Sequence, residues 1–296
     1  MATAAAVVVA QELEPEQASL WSDAWRRLKR NRLALVASVY LALLVVVALV
    51  ALVWTPYRMS AIGLAPTYSG PSAAHLLGVD ELGRDILSRL MVGAQISLVV
   101  GVGTQLLVLA VGVPLGLIAG YYKGYLDTVL SFLINVFYGI PDVLLAMILV
   151  FILGPSLTNI IVAIVATRWM DMARLMRGQA LSLREREFVE AGRAAGAKPL
   201  KMLFGHILPN ALGPIIVQAT FGIPSAILFE AFLSFLGVGV QPPTPSWGSM
   251  ANEGVQAIQY APHMVLAPSV ALSLTLMAFN FLGDGLRDAL DPRSRR

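Results

Sequence analysis

Long uncharged apolar stretches alternate with short polar connections along most of this chain. A membrane-spanning helix needs about 20 predominantly apolar residues. Six segments meet that requirement, and none shows the residue-by-residue alternation of a β-barrel strand. Because lipid admits only helices or closed barrels, the pattern predicts an all-α integral membrane protein. The six predicted spans are Leu33–Trp54, a part of Leu90–Tyr122, residues near 128–152, residues near 157–175, Asn210–Leu236 and Met264–Leu282.

Composition supports the membrane assignment. The chain has 296 residues, of which 57% are hydrophobic and only 13% are charged, whereas soluble domains carry about 25% charged residues. The chain contains no cysteine. Disulfides, thiol nucleophiles, iron–sulfur clusters and cysteine zinc sites are therefore excluded.

Basic residues predict the orientation of the spans. They cluster in the N-terminal tail, in the segment 174–201 and in the C-terminal tail, while the loop 237–263 has no lysine or arginine. The positive-inside rule places the basic segments in the cytoplasm. The predicted organisation is a cytoplasmic tail over 1–32, a first span over 33–54, an extracytoplasmic segment over 55–89, a core of five spans over 90–285 with a cytoplasmic loop at about 174–209, and a second cytoplasmic tail over 286–296.

No motif in the chain indicates an enzyme. A Walker A loop requires a lysine after glycine, and the four lysines follow Leu28, Tyr122, Ala197 and Leu200. No two of the three histidines have the spacing of zinc ligands on a helix. We therefore expect no catalytic residue, no metal and no cofactor bound by this chain. Nor do we expect nucleic acid to bind, since basic residues of membrane proteins usually mark the cytoplasmic side.

The loop between the fourth and fifth spans carries the most specific signal. Small residues around Ala191 and Ala195 predict a short helix with a nearly bare face, ended by Gly196 and followed by a new helix at Pro199. Such a face lets another protein approach closely, with Glu190 and Arg193 available for hydrogen bonds. A solvated amphipathic connector is the alternative interpretation of the spacing alone.

The loop resembles the EAA loop of ABC importer permeases. The resemblance rests on Glu190-Ala191-Gly192, Gly196 and the later Leu208-Pro209. In that family the loop forms a coupling helix that docks in a groove of the ATPase subunit. It implies an ATPase-coupling role for Glu190, Ala191, Gly192, Arg193, Ala195, Gly196, Leu208 and Pro209. Two departures are Gly192, where the family has alanine, and His206, where it has isoleucine.

Three further stretches resemble the "C-type" permeases of the dipeptide and oligopeptide branch. They are His75–Arg89, Glu230–Gly248 and Phe279–Pro292, and with the EAA loop the resemblance covers residues 25–293. It implies a type I, MetI-like bundle that works by alternating access. The implied partners are a homologous "B-type" permease, two ATPase subunits that bind the ATP and magnesium, an extracytoplasmic binding protein and a peptide substrate within the lipid bilayer.

Two groups of polar residues outside the loop are further candidates. Asp80, Glu81, Arg84 and Asp85 lie before the second span, where Asp80 and Arg84 have the spacing of an ion pair on a short helix. This helix either meets the binding protein at the mouth of the pathway or is a self-satisfied cap. Asp142, Glu230 and Asn280 lie within spans and either line the pathway or serve the structure.

Alternative functions remain at this stage. The same architecture serves importers of nickel chelates, glutathione or oligosaccharides. A secondary transporter driven by an ion gradient would need ion-coordinating residues at the midplane and internal repeats, and neither is evident. A structural or receptor-type membrane protein would leave the EAA loop unexplained.

Overall fold

Four of the helices begin directly after a residue whose side chain caps the first turn. The side chains of Asn31, Asp85, Ser156 and Ser246 each accept a hydrogen bond from a backbone N–H in the first turn that follows. Such caps satisfy donors that have no partner inside the helix. The computed structural model describes residues 20–290 and forms helices throughout that range, with loops between them.

The described residues form eleven α-helices. In order they are α1 (Leu20–Arg30), α2 (Arg32–Val50), α3 (Ile86–Tyr122), α4 (Gly124–Tyr138), α5 (Asp142–Leu153), α6 (Leu157–Leu183), α7 (Glu187–Ala194), α8 (Pro199–Met202), α9 (Leu208–Phe235), α10 (Trp247–Gln256) and α11 (His263–Leu290). Residues 184–207 form one end of the bundle, the loop end. Residues 51–85 and 236–262 form the other end, the cap end.

The all-α prediction is confirmed, but the count of six spans is not. Four helical stretches of the described chain are long and apolar enough to cross a membrane, namely α2, α3, the stretch Pro199–Phe235 and α11. The third predicted span is broken, because α4 and α5 meet at an angle of 88°. Pro141 explains the break, since proline lacks an N–H and disfavours helix at the residue before it. The fourth predicted span, α6, is 27 residues long but carries several charges in its second half.

Helix boundaries differ from the predicted ones at the start of α3 and near both termini of the chain. Helix α3 begins at Ile86, four residues before the predicted span, and α11 continues to Leu290 through residues assigned to the C-terminal tail. Part of the predicted N-terminal tail forms α1, which packs against α11. The rest of the two predicted tails, residues 1–19 and 291–296, lies outside the described residues.

The most extensive helix–helix contact joins α3 and α6. Gly112, Gly116 and Gly120 recur every four residues on α3 and face the backbone of α6. A methyl group added to Gly116 would lie 2.2 Å from the carbonyl oxygen of Ala173. The absence of side chains therefore lets the two backbones touch, which is the main source of helix association where lipid competes for apolar surface. We call this contact the glycine seam.

A π-helical turn joins the loop end to the bundle. It covers Leu203–Ile207 and runs without interruption from α8 into α9. Met202, Leu203 and Ile207 are buried in one cluster with residues of α3 and α6. The short helices of the loop end are thus connected to α9 by a packed helical segment.

Replacing Gly116 by alanine tests the glycine seam. The new methyl group would overlap the Ala173 carbonyl oxygen, and overpacking of this kind costs about 1–3 kcal/mol. We expect Gly116→Ala to lower the unfolding temperature of the purified protein, measured by tryptophan fluorescence in detergent. Gly103→Ala is the matched control on the same helix, because its methyl group would meet nothing closer than 3.9 Å. Equal unfolding temperatures for the two variants would contradict the seam.

Candidate functional site

The loop after α6 folds locally as its sequence predicts. Helix α7 ends with Ala195 as its C-cap, and Gly196 follows with a φ of +78°. This left-handed conformation suits glycine, which has no Cβ to clash with the backbone. Pro199 occupies the first turn of α8, where a missing N–H costs nothing.

The inner face of α7 is fixed to the bundle. Val189 is fully buried in a cluster that includes Met202 and Tyr121. A methyl group on Gly192 would lie 2.9 Å from the sulfur of Met202. The guanidinium of Arg193 lies 5.2 Å from the ring centroid of Tyr121 at the end of α3, a distance at which cation–π attraction acts. The small residue at position 192 therefore allows the end of the Met202 side chain to pack closely against α7.

The outer face of α7 is bare and solvent-exposed. Its exposed residues are Glu190, Ala191, Ala194 and Ala195, followed by Gly196. Two exposed apolar side chains flank them, Phe188 at 39% and Leu200 at 68% exposure. Leu208 and Pro209 lie apart from this face, in the first turn of α9. We call the surface formed by these residues of α7, Phe188 and Leu200 the α7 face.

One exposed ion pair connects the start of this loop to the end of α3. The Lys123 ammonium lies 2.9 Å from a carboxylate oxygen of Glu185. The hydrogen bond from Lys123 holds the pKa of Glu185 below its usual range. Both side chains are about half exposed, so water screens the pair and its contribution to stability is small.

At the cap end, the predicted short helix is absent. Asp80 to Arg84 form a tight turn, closed by a β-bridge between Val79 and Asp85. Gly83 has a φ of +69° in this turn. The Asp80 carboxylate accepts hydrogen bonds from the backbone N–H groups of Leu82 and Arg84, and such local bonds compete with a helix.

Asp80, Arg84 and Asp85 are buried. The Asp80 carboxylate lies 2.6 Å from Nε of Arg84 and 3.4 Å from Nε of Arg89. Both arginines also donate to Glu253 of α10, at 3.1 Å from Arg84 and 2.8 Å from Arg89. Two carboxylates and two guanidiniums thus form one network between the turn, α3 and α10. We call it the cap network.

Sequence reasoning missed two members of the cap network. Arg89 and Glu253 are 164 residues apart, so no local spacing joins them. Burial raises the pKa of Glu253 above its ordinary value, although the charges of Arg89 and Arg84 oppose the shift. An acidic residue in the otherwise weakly charged loop 237–263 is the one signal in the sequence that could have drawn attention to Glu253.

Asp85 lies outside the cap network and caps the start of α3. One of its carboxylate oxygens caps α3 by accepting from the Ser88 backbone N–H at 2.8 Å and from the Ser88 hydroxyl at 2.7 Å. The other lies 2.9 Å from Nδ1 of His75. Among the four residues predicted at the mouth, Glu81 alone keeps a substantially exposed side chain, at 40%.

The three polar candidates within the spans have different surroundings. Glu230 is fully buried and accepts a hydrogen bond from the Ser234 hydroxyl at 2.6 Å. Asp142 is half-exposed and lies 3.1 Å from a guanidinium nitrogen of Arg168 on α6. Asn280 is exposed on α11. The structure does not bring these three residues together, and whether each lines a pathway stays a prediction.

Known families match both parts of the chain. Residues 112–296 match the family described as the inner membrane component of binding-protein-dependent transport systems. Residues 19–71 match the N-terminal transmembrane domain of oligopeptide transport permease C.

Curated relatives match nearly the whole chain. The oligopeptide transport system permease protein OppC of Bacillus subtilis is 40% identical, with 97% of this chain and 94% of that protein covered. The dipeptide transport system permease protein DppC of the same organism is 45% identical, with 94% and 87% covered. The glutathione transport system permease protein GsiD of Escherichia coli is 43% identical, with 95% and 93% covered.

Among solved structures, an inward-facing conformation of the MetNI methionine ABC transporter has a similar fold. The TM-score is 0.56 at 23% identity, over 68% of this chain and 96% of that one. The similarity confirms the MetI-like architecture of the bundle.

A pair of substitutions tests the cap network. Arg89→Met leaves the partly buried Glu253 carboxylate with one guanidinium fewer, and this loss costs less than the roughly 3–5 kcal/mol of breaking a fully buried ion pair. Adding Glu253→Met restores the charge balance and leaves Asp80 paired with Arg84. We therefore expect the double variant to recover most of the unfolding temperature that the single variant loses.

Thermal unfolding of the purified protein measures these changes. Lys123→Met is the control, because it removes an exposed, water-screened pair and should change the unfolding temperature little. The network would be refuted if the double variant lost the sum of its two single losses.

Proposed function

The chain belongs to the family of binding-protein-dependent transport system inner membrane components, and we propose that it is the permease subunit of an ATP-driven importer for dipeptides and oligopeptides. Relatives named as oligopeptide and dipeptide permeases match more than nine-tenths of the chain. In this role the chain forms half of the translocation pathway, and a homologous second permease forms the other half.

The α7 face carries this proposal. A short helix with an exposed small-residue surface, anchored on its other side by Val189 and Arg193, is built to receive a rigid partner. Exposed apolar side chains beside it are typical of a protein–protein contact. We propose that a groove of an ATPase subunit binds this face, and that the ATP and magnesium are bound by two such subunits, since this chain has no Walker A motif.

The contacts behind α7 supply a route for coupling. A displacement of α7 would act on α3 through Arg193 and Tyr121, and on α9 through Met202 and the π-helical turn. Because packed interiors resist compression, these contacts would transmit movement to the spans. ATP-driven approach of the two ATPase subunits would thus reorient the helices between inward-open and outward-open states.

The cap end is the side on which we place the extracytoplasmic binding protein. The burial of Asp80, Arg84 and Asp85 favours the cap interpretation for those residues. Glu81, with its exposed side chain, remains available for a contact at the mouth. The positive-inside rule supports a cytoplasmic location for both termini. The division of the chain into two tails, a first span, an outer segment and a five-span core remains part of this proposal. The membrane is then the bacterial inner membrane.

A second candidate substrate is glutathione. Permeases named for glutathione transport are 42–43% identical to this chain over more than nine-tenths of its length. Glutathione is itself a peptide, so the same permease architecture would serve it. The complete transporter, reconstituted in liposomes containing ATP and supplied with its binding protein, distinguishes the candidates by uptake of labelled dipeptide, tetrapeptide or glutathione. Uptake without ATP would refute the proposed function.

Adding bulk to the α7 face tests ATPase docking. Ala191→Trp places an indole on the exposed surface without disturbing the buried side of α7. We expect the ATPase subunits to co-purify about tenfold less, equivalent to about 1.4 kcal/mol of binding free energy, while the second permease is retained. Ser60→Trp is the control, because it adds the same bulk at an exposed position of the cap end. Unchanged recovery of the ATPases with Ala191→Trp would contradict docking at this face.

A further inference from the structure

Two cavities open on one face of α6. One, of about 90 Å³, lies between α3, α6 and α9, and the other, of about 290 Å³, lies between α6 and the bend that joins α4 to α5. Arg168 and Asp171 line both cavities. Because they are three residues apart, they project from neighbouring positions of the helix surface. We call the two cavities together the α6 crevice.

Taking α6 as the predicted fourth span places the α6 crevice within the hydrocarbon core. Arg168 and Asp171 are about 16 and 21 Å along the axis from the start of α6, and the hydrocarbon core is about 30 Å thick. Charged side chains at this depth face the interior of a bundle or a water-filled cavity, not lipid. The broken span beside them is also typical of a cavity wall, because unpaired backbone is tolerated at this depth only where lipid is excluded.

Polar groups in the crevice lack partners within the described chain. Gln105 is 6% exposed and its side-chain amide makes no hydrogen bond to another described residue. Its amide occupies space left by Gly222, where a methyl group would lie 1.9 Å from Oε1 of Gln105. The buried Thr104 hydroxyl and the Nε of Arg168 are likewise without a described partner. Unpaired donors and acceptors beside a cavity are groups to which a polar molecule, water included, can hydrogen-bond.

We propose that the α6 crevice binds the peptide during its passage, with Arg168 receiving the carboxylate end and Asp171 the ammonium end. This inference rests on the proposed function as a peptide importer. Arg168 and Asp171 present one positive and one negative charge side by side, which complements a zwitterion better than an anion or a cation. The Tyr138 hydroxyl donates to one carboxylate oxygen of Asp171, and the other oxygen has no hydrogen bond within the described residues. Gln105 and Gln218 offer amide groups that match the peptide bonds of the substrate.

Charge distribution favours a substrate over the second permease as the occupant. The cores of protein–protein interfaces are depleted of charged residues, whereas Arg168, Asp171 and Asp142 lie together at the crevice. Asp142 lies 3.1 Å from Arg168 and is 47% exposed. A carboxylate of the substrate can therefore replace Asp142 at the guanidinium without leaving an unpaired charge in a dry site.

Substitution of Arg168 in the complete reconstituted transporter tests the inference. We expect Arg168→Gln to lower peptide uptake per ATP hydrolysed about tenfold, the effect of losing one charge-assisted hydrogen bond. Arg168→Lys should retain most of the uptake because it keeps the charge. ATP hydrolysis stimulated by the peptide-loaded binding protein should stay close to wild type in both. Arg58→Gln is the control, since Arg58 is an exposed arginine that lines neither cavity.

Three results are distinguishable. Wild-type uptake per ATP in Arg168→Gln, or an equal loss in Arg58→Gln, would overturn the inference while leaving the proposed function intact. Absence of ATP-driven peptide uptake in the wild-type transporter would overturn the proposed function itself.

A second measurement does not depend on the folding of the Arg168 variants. The chain has no cysteine, so a single cysteine can be introduced in it and labelled. Gln218→Cys should react with a membrane-impermeant thiol reagent in the assembled transporter and be protected by peptide-loaded binding protein with ATP. Leu228→Cys, 51% exposed on the same helix, should not react. If Gln218→Cys is inaccessible with and without ATP, the crevice is a contact between subunits and the inference fails.

Discussion

The bare backbone of α3 where it meets α6 is the constraint on which the rest of the bundle depends. In lipid the hydrophobic effect does not drive helices together, because lipid tails are as apolar as the side chains. Two helices therefore associate mainly through close van der Waals packing of their surfaces. Gly112, Gly116 and Gly120 allow that contact with the carbonyl oxygens of Trp169, Ala173 and Arg177. Helix α6 is thereby held in one rotation about its own axis, which places Arg168 and Asp171 beside Thr104 and Gln105 of α3.

Both ends of the bundle depend on that fixed rotation. At the loop end, α6 leads into α7, whose inner face packs against the last turn of α3 through Arg193 and Tyr121. At the cap end, α3 carries Arg89 into a network with Glu253 of α10 and the turn at Asp80. A single pair of helices therefore positions both the α7 face at the loop end and the cap network at the opposite end.

Much of this arrangement is predictable from the sequence. The all-helical class, the ending of α7 at Gly196 and the start of α8 at Pro199 all follow from local rules of hydropathy and backbone geometry. The glycine seam was not predicted, although the sequence contains a signal for it. Three glycines at intervals of four residues are typical of close helix packing, but hydropathy alone does not distinguish them within an apolar stretch.

The remaining features depend on contacts between distant parts of the chain. The break at Pro141 lies inside a stretch whose only charged residue is Asp142, and hydropathy does not distinguish a straight span from a bent one. The burial of Asp80 and Arg84 depends on Glu253, more than 160 residues later. The inward position of Gly192 depends on Met202, because a small residue that admits a partner and one that admits a neighbouring side chain look the same in sequence.

The π-helical turn at Leu203–Ile207 allows the chain to lose one residue at this point without a change in helix register. Such a turn holds one residue more than an α-helical turn. Deleting one residue there would convert it to regular helix while the flanking side chains kept their directions. Helix α7 would then lie about 1.5 Å closer to α9, while α9 presented the same residues to the interior. The length of the loop end can therefore change by one residue without a change in the register of the bundle.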